Sequence, residues 1–357
     1  MKKFLYGAIY FFILAVIFKG FLVKVAESMG IDLPISETVL ISNDGGYNWQ
    51  KPKVPEKTIS GENLFFNNQN PSEIFLASNN GIFKIKNEKT TNRNDKIKKT
   101  LNSVNISGFI QDPKSPNIFY LVSNGIEKSE LFVSYNYGES FRSLFVTKND
   151  NKISVFKINP INSNYLYIGT QGGLFLVSQD KGNSWEKKKS FSPRPIKNIE
   201  INQLTGDIYI SLSSKIVNLF PPEDVKRLEP TVYLSIDGGN SFSKINKFNG
   251  TPINKIEIDN LCGDVYFVSS YNVFFLRKNK ISSLNLISQT EKDKITAFTI
   301  DPKNPNILYV GVKDILYKTT DKGKSWNTIN VPISGKKIKN IKINQENSNV
   351  ILLSFSN

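Results

Sequence analysis

The residues best placed to do chemistry in this chain are aspartates that recur in the pattern Ser/Thr-x-Asp-x-Gly-x-x-aromatic. Asp44, Asp180, Asp237 and Asp321 hold the third position in four copies of the pattern. Paired carboxylates can act as general acid and general base in glycoside hydrolysis. Because these aspartates occur once per repeat, we expect them to lie far apart. We interpret them as hairpin anchors whose carboxylates accept backbone N–H groups.

The composition removes whole classes of chemistry. The chain has no histidine, which excludes His-containing triads, imidazole bases and His-ligated metals. Cys262 is the only cysteine, so neither an intrachain disulfide nor a cysteine metal cluster can form. We therefore predict no catalytic residue, no metal and no cofactor.

The chain is basic, with 46 Lys and Arg residues against 31 Asp and Glu and a formal charge of +15. Such a balance is typical of proteins that bind anionic partners, and it also arises when scattered lysines form a solvated surface. No helix-turn-helix, zinc-finger spacing or aromatic RNA-binding signature occurs, so we expect no nucleic acid partner.

The N-terminus carries an apolar segment. Met1-Lys2-Lys3 precedes an uncharged run from Phe4 to Phe18, and the apolar character continues past Lys19 to Val23. Fifteen helical residues span about 22 Å and twenty span about 30 Å, so the segment suits either a signal peptide or a membrane anchor. We predict such a helix over residues 1–24, with residues 4–23 in the membrane, and a linker over 25–36. The protein is then exported to the periplasmic or extracellular side.

An internal repeat governs the rest of the chain. A turn opened by Asn or Asp follows a short apolar segment seven times, at intervals of 42 to 57 residues. The turns open at Asn67, Asp112, Asn159, Asn202, Asp259, Asp301 and Asn344. Asp and Asn side chains start turns by accepting the N–H group two residues further on. Because a strand-like run follows each turn, we expect the turns to join the first and second strands of successive sheets.

The aspartate pattern is a second element of the repeat, with five copies. They are Ser42–Trp49, Ser134–Phe141, Ser178–Trp185, Ser235–Phe242 and Thr319–Trp326. We expect Trp49, Trp185, Phe242 and Trp326 to pack between neighbouring sheets. Repeats one and five lack the pattern, so their hairpins near 81–85 and 273–276 are predicted to be less regular.

This pattern is the Asp-box, or BNR repeat, and the resemblance covers residues 37–357. It implies an all-β, seven-bladed β-propeller of four-stranded blades. Six repeats are complete, and the seventh is split between Val39–Val54 and Ile338–Phe355. Placing both parts in one blade closes the ring and removes an exposed edge. In size and layout the chain resembles the photosystem II stability/assembly factor family, which implies a non-enzymatic assembly scaffold.

Three other families share the repeat and differ from this sequence. Sialidases use an arginine trio, a Tyr–Glu nucleophile and an Arg-Ile-Pro motif, and that motif does not occur here. Xyloglucanase-type hydrolases pair two propellers around two catalytic aspartates, whereas these repeats make one propeller. Sortilin-type receptors have ten blades and a cysteine-rich module. We therefore predict a binding scaffold for another protein, and carbohydrate binding or hydrolysis is the alternative.

The long fourth repeat places an insertion, Ser213–Pro230, between its second and third strands. The turns and Asp-boxes should share one end of the ring, so the insertion should lie at the opposite end, together with the links between blades. Arg93, Arg194, Lys226 and Arg227 fall in these segments. We predict that they form a binding surface for an acidic region of a partner protein.

Overall fold

The computed structural model describes residues 39–52, 64–78, 81–86, 89–92, 106–148, 151–218, 225–284, 286 and 293–356. The predicted N-terminal helix at 1–24 and the linker at 25–36 lie outside these residues. No helix within the described ranges is long and apolar enough to cross a membrane. The fold is all-β, as predicted.

The strands alternate apolar and polar residues and are rich in Ile, Val, Leu, Phe and Tyr, which suits half-buried sheets. The first strand, β1 (Val39–Ser42), belongs to the last sheet. Sheet 1 contains β2 (Leu64–Phe66), β3 (Glu73–Ser78), β4 (Gly81–Lys86) and β5 (Lys89–Asn92). Sheet 2 contains β6 (Ile106–Gln111), β7 (Phe119–Asn124), β8 (Lys128–Ser134) and β9 (Arg142–Lys148). Sheet 3 contains β10 (Ile153–Ile158), β11 (Leu166–Thr170), β12 (Leu174–Ser178) and β13 (Glu186–Ser190).

The remaining sheets follow the same order along the chain. Sheet 4 contains β14 (Ile196–Ile201), β15 (Ile208–Leu212), β18 (Thr231–Ser235) and β19 (Ser243–Ile245). The chain that connects β15 to β18 forms a separate hairpin of β16 (Lys215–Asn218) and β17 (Val225–Leu228). Sheet 5 contains β20 (Lys255–Ile258), β21 (Val265–Val268), β22 (Val273–Arg277) and β23 (Lys280–Ser283). Sheet 6 contains β24 (Ile295–Ile300), β25 (Leu308–Val312), β26 (Ile315–Thr319) and β27 (Asn327–Ile329). Sheet 7 contains β28 (Lys337–Ile343), β29 (Ile351–Ser356) and β1.

Sheet 7 joins the two ends of the described chain. β1 pairs antiparallel with β29, with Val39 opposite Ser354 and Ser42 opposite Ile351. A four-stranded sheet was predicted here, and the described residues form three strands. In place of the fourth strand, Gln50 makes a single bridge to Ile41. Pro52 follows two residues later and has no N–H group with which to extend the ladder.

Neighbouring sheets bury their faces against each other. The cluster between sheets 3 and 4, for example, contains Phe175, Ile199 and Ile210. Similar clusters join each sheet to the next along the chain. Sheet 7 also packs against sheet 1, where Val39 and Leu352 meet Leu76. The core is therefore a series of apolar layers between sheets.

The hairpin of sheet 5 differs from the prediction. Lys278 and Asn279 form a two-residue turn with φ values of 47° and 62°, and Arg277 pairs with Lys280 across it. Two successive positive φ values are typical of a type I′ turn, which matches the twist of an antiparallel pair. The missing Asp-box thus leaves a short regular hairpin, and the expectation of irregularity was wrong here.

Candidate functional site

The seven predicted turns and the five Asp-boxes lie at one end of the sheets, which we call the turn end. Each turn-opening side chain accepts the N–H group two residues further on, as Asp301 does from Lys303 at 2.8 Å. The same bond occurs in the six other turns. The Asp-box backbone then donates to the turn of its own sheet, as Lys181 N does to Asn164 O at 2.9 Å.

The Asp-box carboxylates are fully used within their own hairpins. In sheet 3, Asp180 Oδ1 accepts the Ser178 hydroxyl and the Ser184 N–H, both at 2.8 Å. Its Oδ2 accepts the Ser184 hydroxyl at 2.6 Å. These bonds, led by the Ser184 hydroxyl, lower the pKa of Asp180 to about 2. The carboxylate is ionised at neutral pH and has no proton to give to a substrate.

The Asp-box aromatics fill gaps between sheets. Trp185 lies beside Phe145 of the preceding sheet with ring centroids 5.1 Å apart. Phe242 lies 5.4 Å from Phe175 of the preceding sheet and 5.4 Å from Phe191, which directly follows that sheet in the chain. Trp49 and Trp326 occupy the corresponding places beside sheets 6 and 5.

The first strands of sheets 1, 2, 3 and 7 line a common space, which we call the channel. The residues two positions before each turn-opening residue are equivalent in the seven sheets, and we call this set the ring. In sheet order they are Phe65, Ile110, Lys157, Glu200, Glu257, Thr299 and Lys342. The side chain of Lys342 interacts electrostatically with the charged side chains of sheets 3, 4 and 5. The ring therefore has apolar residues on sheets 1 and 2, charged residues on sheets 3, 4, 5 and 7, and a threonine on sheet 6.

Both glutamates of the ring are paired with lysines. Lys157 contacts Glu200 of the next sheet, and Lys255 contacts Glu257 within its own strand. Glu257 Oε1 also accepts the Thr299 hydroxyl at 2.8 Å and a backbone N–H of sheet 6 at 2.9 Å. Burial raises the pKa of Glu257, but the charge of Lys255 and these hydrogen bonds outweigh it, so the pKa lies below its ordinary value.

A cavity of about 440 Å³ opens at the turn end of the channel. Phe65, Phe66 and Ile110 form its apolar side, and the side chains of Lys157 and Lys342 also line it. Within the described ranges, no three Cys, Asp or Glu side chains gather as a metal site would require.

The sequence prediction missed the ring, although a signal for it exists. Aligning the seven turns places a charged residue at the same position in four otherwise apolar strands, at Lys157, Glu200, Glu257 and Lys342. A charge at a fixed position of an inner strand indicates a polar interior surface, because charged side chains are rarely buried without a partner.

The predicted residues Arg194, Lys226 and Arg227 lie at the other end, which we call the insertion end. β16 and β17 form the inserted hairpin, with Val217 opposite Lys226. Arg194, in the link between sheets 3 and 4, donates to Thr231 Oγ1 at 2.9 Å and to the Glu229 carbonyl at 3.3 Å. Arg194 therefore lies at the base of the insertion, where its guanidinium donates hydrogen bonds within the protein.

Arg227 differs from Arg194 in its exposure. Its side chain is 65% exposed, and Nε lies 3.5 Å from Glu229 Oε1. The side chain of Lys226 and the whole of Arg93 lie outside the described part of the structure. At this end, Arg227 is therefore the candidate whose charged group is seen facing solvent.

Comparisons with known proteins agree on the type of fold. A family model described as Sortilin-Vps10, for sortilin and neurotensin receptor 3, matches residues 129–255. No curated protein matches the chain. Among solved structures, the chain is similar to a GH74 xyloglucanase from Xanthomonas campestris, with a TM-score of 0.67 and 14% identity over 87% of this chain and 52% of that one. It is also similar to YCF48 bound to a D1 peptide, with a TM-score of 0.59 and 11% identity over 92% and 96% of the two chains.

A third similar structure is the extracellular domain of a one-component system from B. thetaiotaomicron, with a TM-score of 0.60 and 13% identity over 84% and 39% of the two chains. The chain spans about half the length of the xyloglucanase and less of this third protein. Together these similarities show a β-propeller of the BNR type that resembles YCF48 in its fold.

Proposed function

We propose that residues 37–357 form a closed seven-bladed propeller that acts as a non-enzymatic scaffold outside the cytoplasm. It is exported, and held or released there, through residues 4–23. It binds another protein through the insertion end and assists the assembly or maturation of a protein complex. The observation that carries this proposal is the inserted hairpin, because it carries the exposed Arg227 and its base is held by Arg194.

The support of the hairpin is specific. Arg194 bonds to Thr231 and Glu229 and lies 6.0 Å from the ring of Tyr233, with Nη2 3.3 Å from the Tyr233 hydroxyl. A guanidinium held in this way fixes where the hairpin leaves the sheet. Arg227 can then present a fork of N–H donors to a carboxylate of a partner.

The other side chains argue against hydrolysis. A glycosidase needs one carboxyl that stays protonated near neutral pH, and Glu257 has a lowered pKa. The described arginines also have separate tasks, since Arg142 bonds to Tyr135 and Arg277 bonds to Asp264. These arginines lie in different sheets and do not form a trio around one ligand.

Two similar proteins support the proposal by analogy. YCF48 has a structure with a peptide of D1 bound, so a propeller of this type can bind a segment of another protein. The protein from B. thetaiotaomicron carries its propeller in an extracellular domain. Both similarities are in fold, and the partner of this chain is to be found by experiment.

The test is capture of the partner by a charge-reversal variant. Proteins that co-purify with the crosslinked wild type define the partner, and its capture is then compared with that by Lys226→Glu/Arg227→Glu. We expect capture to fall about tenfold or more at low salt and the difference to shrink at high salt. The matched control is Lys187→Glu/Lys189→Glu, which reverses two exposed lysines on the outer strand of sheet 3. Equal capture by both double variants at low salt contradicts the proposal.

Carbohydrate hydrolysis is the second candidate, because Glu200 and Glu257 both face the channel and the xyloglucanase has a similar fold. It requires that wild type release reducing sugar from xyloglucan and that Glu200→Gln/Glu257→Gln abolish the release. We expect no release by wild type. Release that the double variant loses overturns the non-enzymatic function.

A further inference from the structure

The cavity at the turn end of the channel has the size and the asymmetric lining of a ligand site. Its volume of about 440 Å³ falls in the range of roughly 300–1,000 Å³ that is usual for small-molecule pockets. Phe65, Phe66 and Ile110 form one side, and all three are only partly buried. Their exposed apolar surface is available to an apolar group of a ligand.

The opposite side of the cavity is cationic. Lys157 and Lys342 line it, whereas Glu200 and Glu257 lie further round the channel and do not. Glu346 is the carboxylate among the lining residues, and it lies exposed at the rim. The inner part of the cavity therefore attracts negative charge.

Lys342 differs from the two other lysines of the channel. Lys157 and Lys255 each contact a glutamate, but no carboxylate of the described residues lies within 4.0 Å of the Lys342 ammonium group. Burial is the largest cause that lowers the pKa of Lys342, and with the positive charges of Lys255 and Lys157, which the charges of Glu257 and Glu200 oppose, it brings the pKa to about 8. Burial and two nearby positive charges disfavour the charged form of Lys342, so a bound anion would stabilise its ammonium group.

We propose that this cavity is a binding site for a carboxylate with an adjoining apolar group, with Lys342 as the counter-ion of the carboxylate. Phe65 and Ile110 contact the apolar group. The site lies at the opposite end of the channel from the inserted hairpin, so it does not rest on the proposed function. A free organic acid and a carboxylate residue next to an apolar residue in a peptide share this chemistry.

The test uses probes that separate charge from shape. 3-Phenylpropionate represents the free acid, 3-phenylpropanamide has the same shape without the charge, and acetyl-Glu-Phe-amide represents the peptide. Binding to the full chain at pH 7 is measured by ligand-observed NMR titration. We expect one carboxylate probe to bind at least about tenfold more tightly than the amide, because a charge-assisted bond to Lys342 is lost in the amide. Binding of 3-phenylpropionate indicates that the ligand is a free organic acid, and binding of acetyl-Glu-Phe-amide alone indicates that it is a carboxylate residue in a peptide.

The variant is Lys342→Met, which keeps the length of the side chain and removes its charge. We expect carboxylate binding to fall at least about tenfold, while the melting temperature does not fall, because a charge in an unfavourable position has been removed. Lys189→Met, on the outer strand of sheet 3, removes one exposed charge and should bind like wild type. Wild-type binding should also weaken as the pH rises above about 8, where Lys342 loses its proton.

Three results overturn the proposal. They are binding of neither carboxylate probe, equal binding of the amide, and unchanged binding by Lys342→Met. The Lys226→Glu/Arg227→Glu variant should bind the probes like wild type, and Lys342→Met should capture the partner protein like wild type. Failure of the cavity site and failure of the insertion-end site therefore give different results.

Discussion

The structural role of the Asp-box can be tested at Ser178, which is buried at the centre of the hairpin of sheet 3. Its hydroxyl accepts the buried N–H of Gly182 at 2.7 Å and donates to Asp180 Oδ1 at 2.8 Å. Gly182 has a φ of +91°, and a Cβ built there would lie 2.3 Å from Leu144. The backbone at Gly182 is thus packed closely against Leu144.

Ser178→Ala leaves the Gly182 N–H buried without an acceptor. Such a loss costs about 1–3 kcal/mol of unfolding free energy. The free energy is measured by urea denaturation, with partner capture as a second measurement that should not change. Ser184→Ala is the matched control, because it also removes one hydroxyl from the same box, and Ser184 is exposed. We expect it to cost clearly less.

If Ser178→Ala and Ser184→Ala cost the same, the buried serine does not hold the hairpin, and the reasoning on the Asp-box fails. If Ser178→Ala leaves the unfolding free energy unchanged but abolishes capture, the box belongs to a binding site. Either result would also change the interpretation of the equivalent buried hydroxyls, Ser42, Ser134, Ser235 and Thr319.

Two further predictions concern packing and pH. Gly169→Ala should lower the unfolding free energy by about 1–3 kcal/mol, because its new Cβ would lie 2.6 Å from Ile196. Gly311→Ala is the control, because its new Cβ would lie 3.0 Å from its nearest neighbour, and it should lower the unfolding free energy less in the same urea titration. The pKa of Asp180 falls from its ordinary value of 3.8 to about 2 on folding, so the stability that its ionised form contributes is present above pH 4 and is lost as the pH falls to about 2. In thermal melts, Asp180→Asn should therefore show a smaller loss of melting temperature over this pH range than wild type.

The sequence predicted the features that depend on residues close together in the chain. A turn needs only Asn or Asp and the N–H two residues on, and all seven turns form as predicted. The insertion between the second and third strands of sheet 4 was also predicted, since the repeat interval itself shows it. In both cases spacing along the chain carries the physical information.

The sequence did not predict features that depend on distant residues or on small backbone effects. The fourth strand of sheet 7 reduces to the bridge between Ile41 and Gln50, since Pro52 removes a donor from the ladder. The hairpin of sheet 5 is regular without an Asp-box, because Lys278 and Asn279 adopt positive φ. A pattern built on the Asp-box could not detect this second way of making the same connection.

Counting basic residues along the sequence does not show which of them already have partners in the fold. Arg194 bonds to Thr231 and to the Glu229 carbonyl at the base of the insertion, whereas the side chain of Arg227 is 65% exposed. Lys342 received no role from the sequence, yet it is the channel lysine that contacts no carboxylate among the described residues. A cation whose charge is already satisfied adds little to binding, whereas one that is left unpaired at a stability cost can gain from an anion. The value of each basic residue for binding therefore depends on its partners in the fold, which only the assembled sheets define.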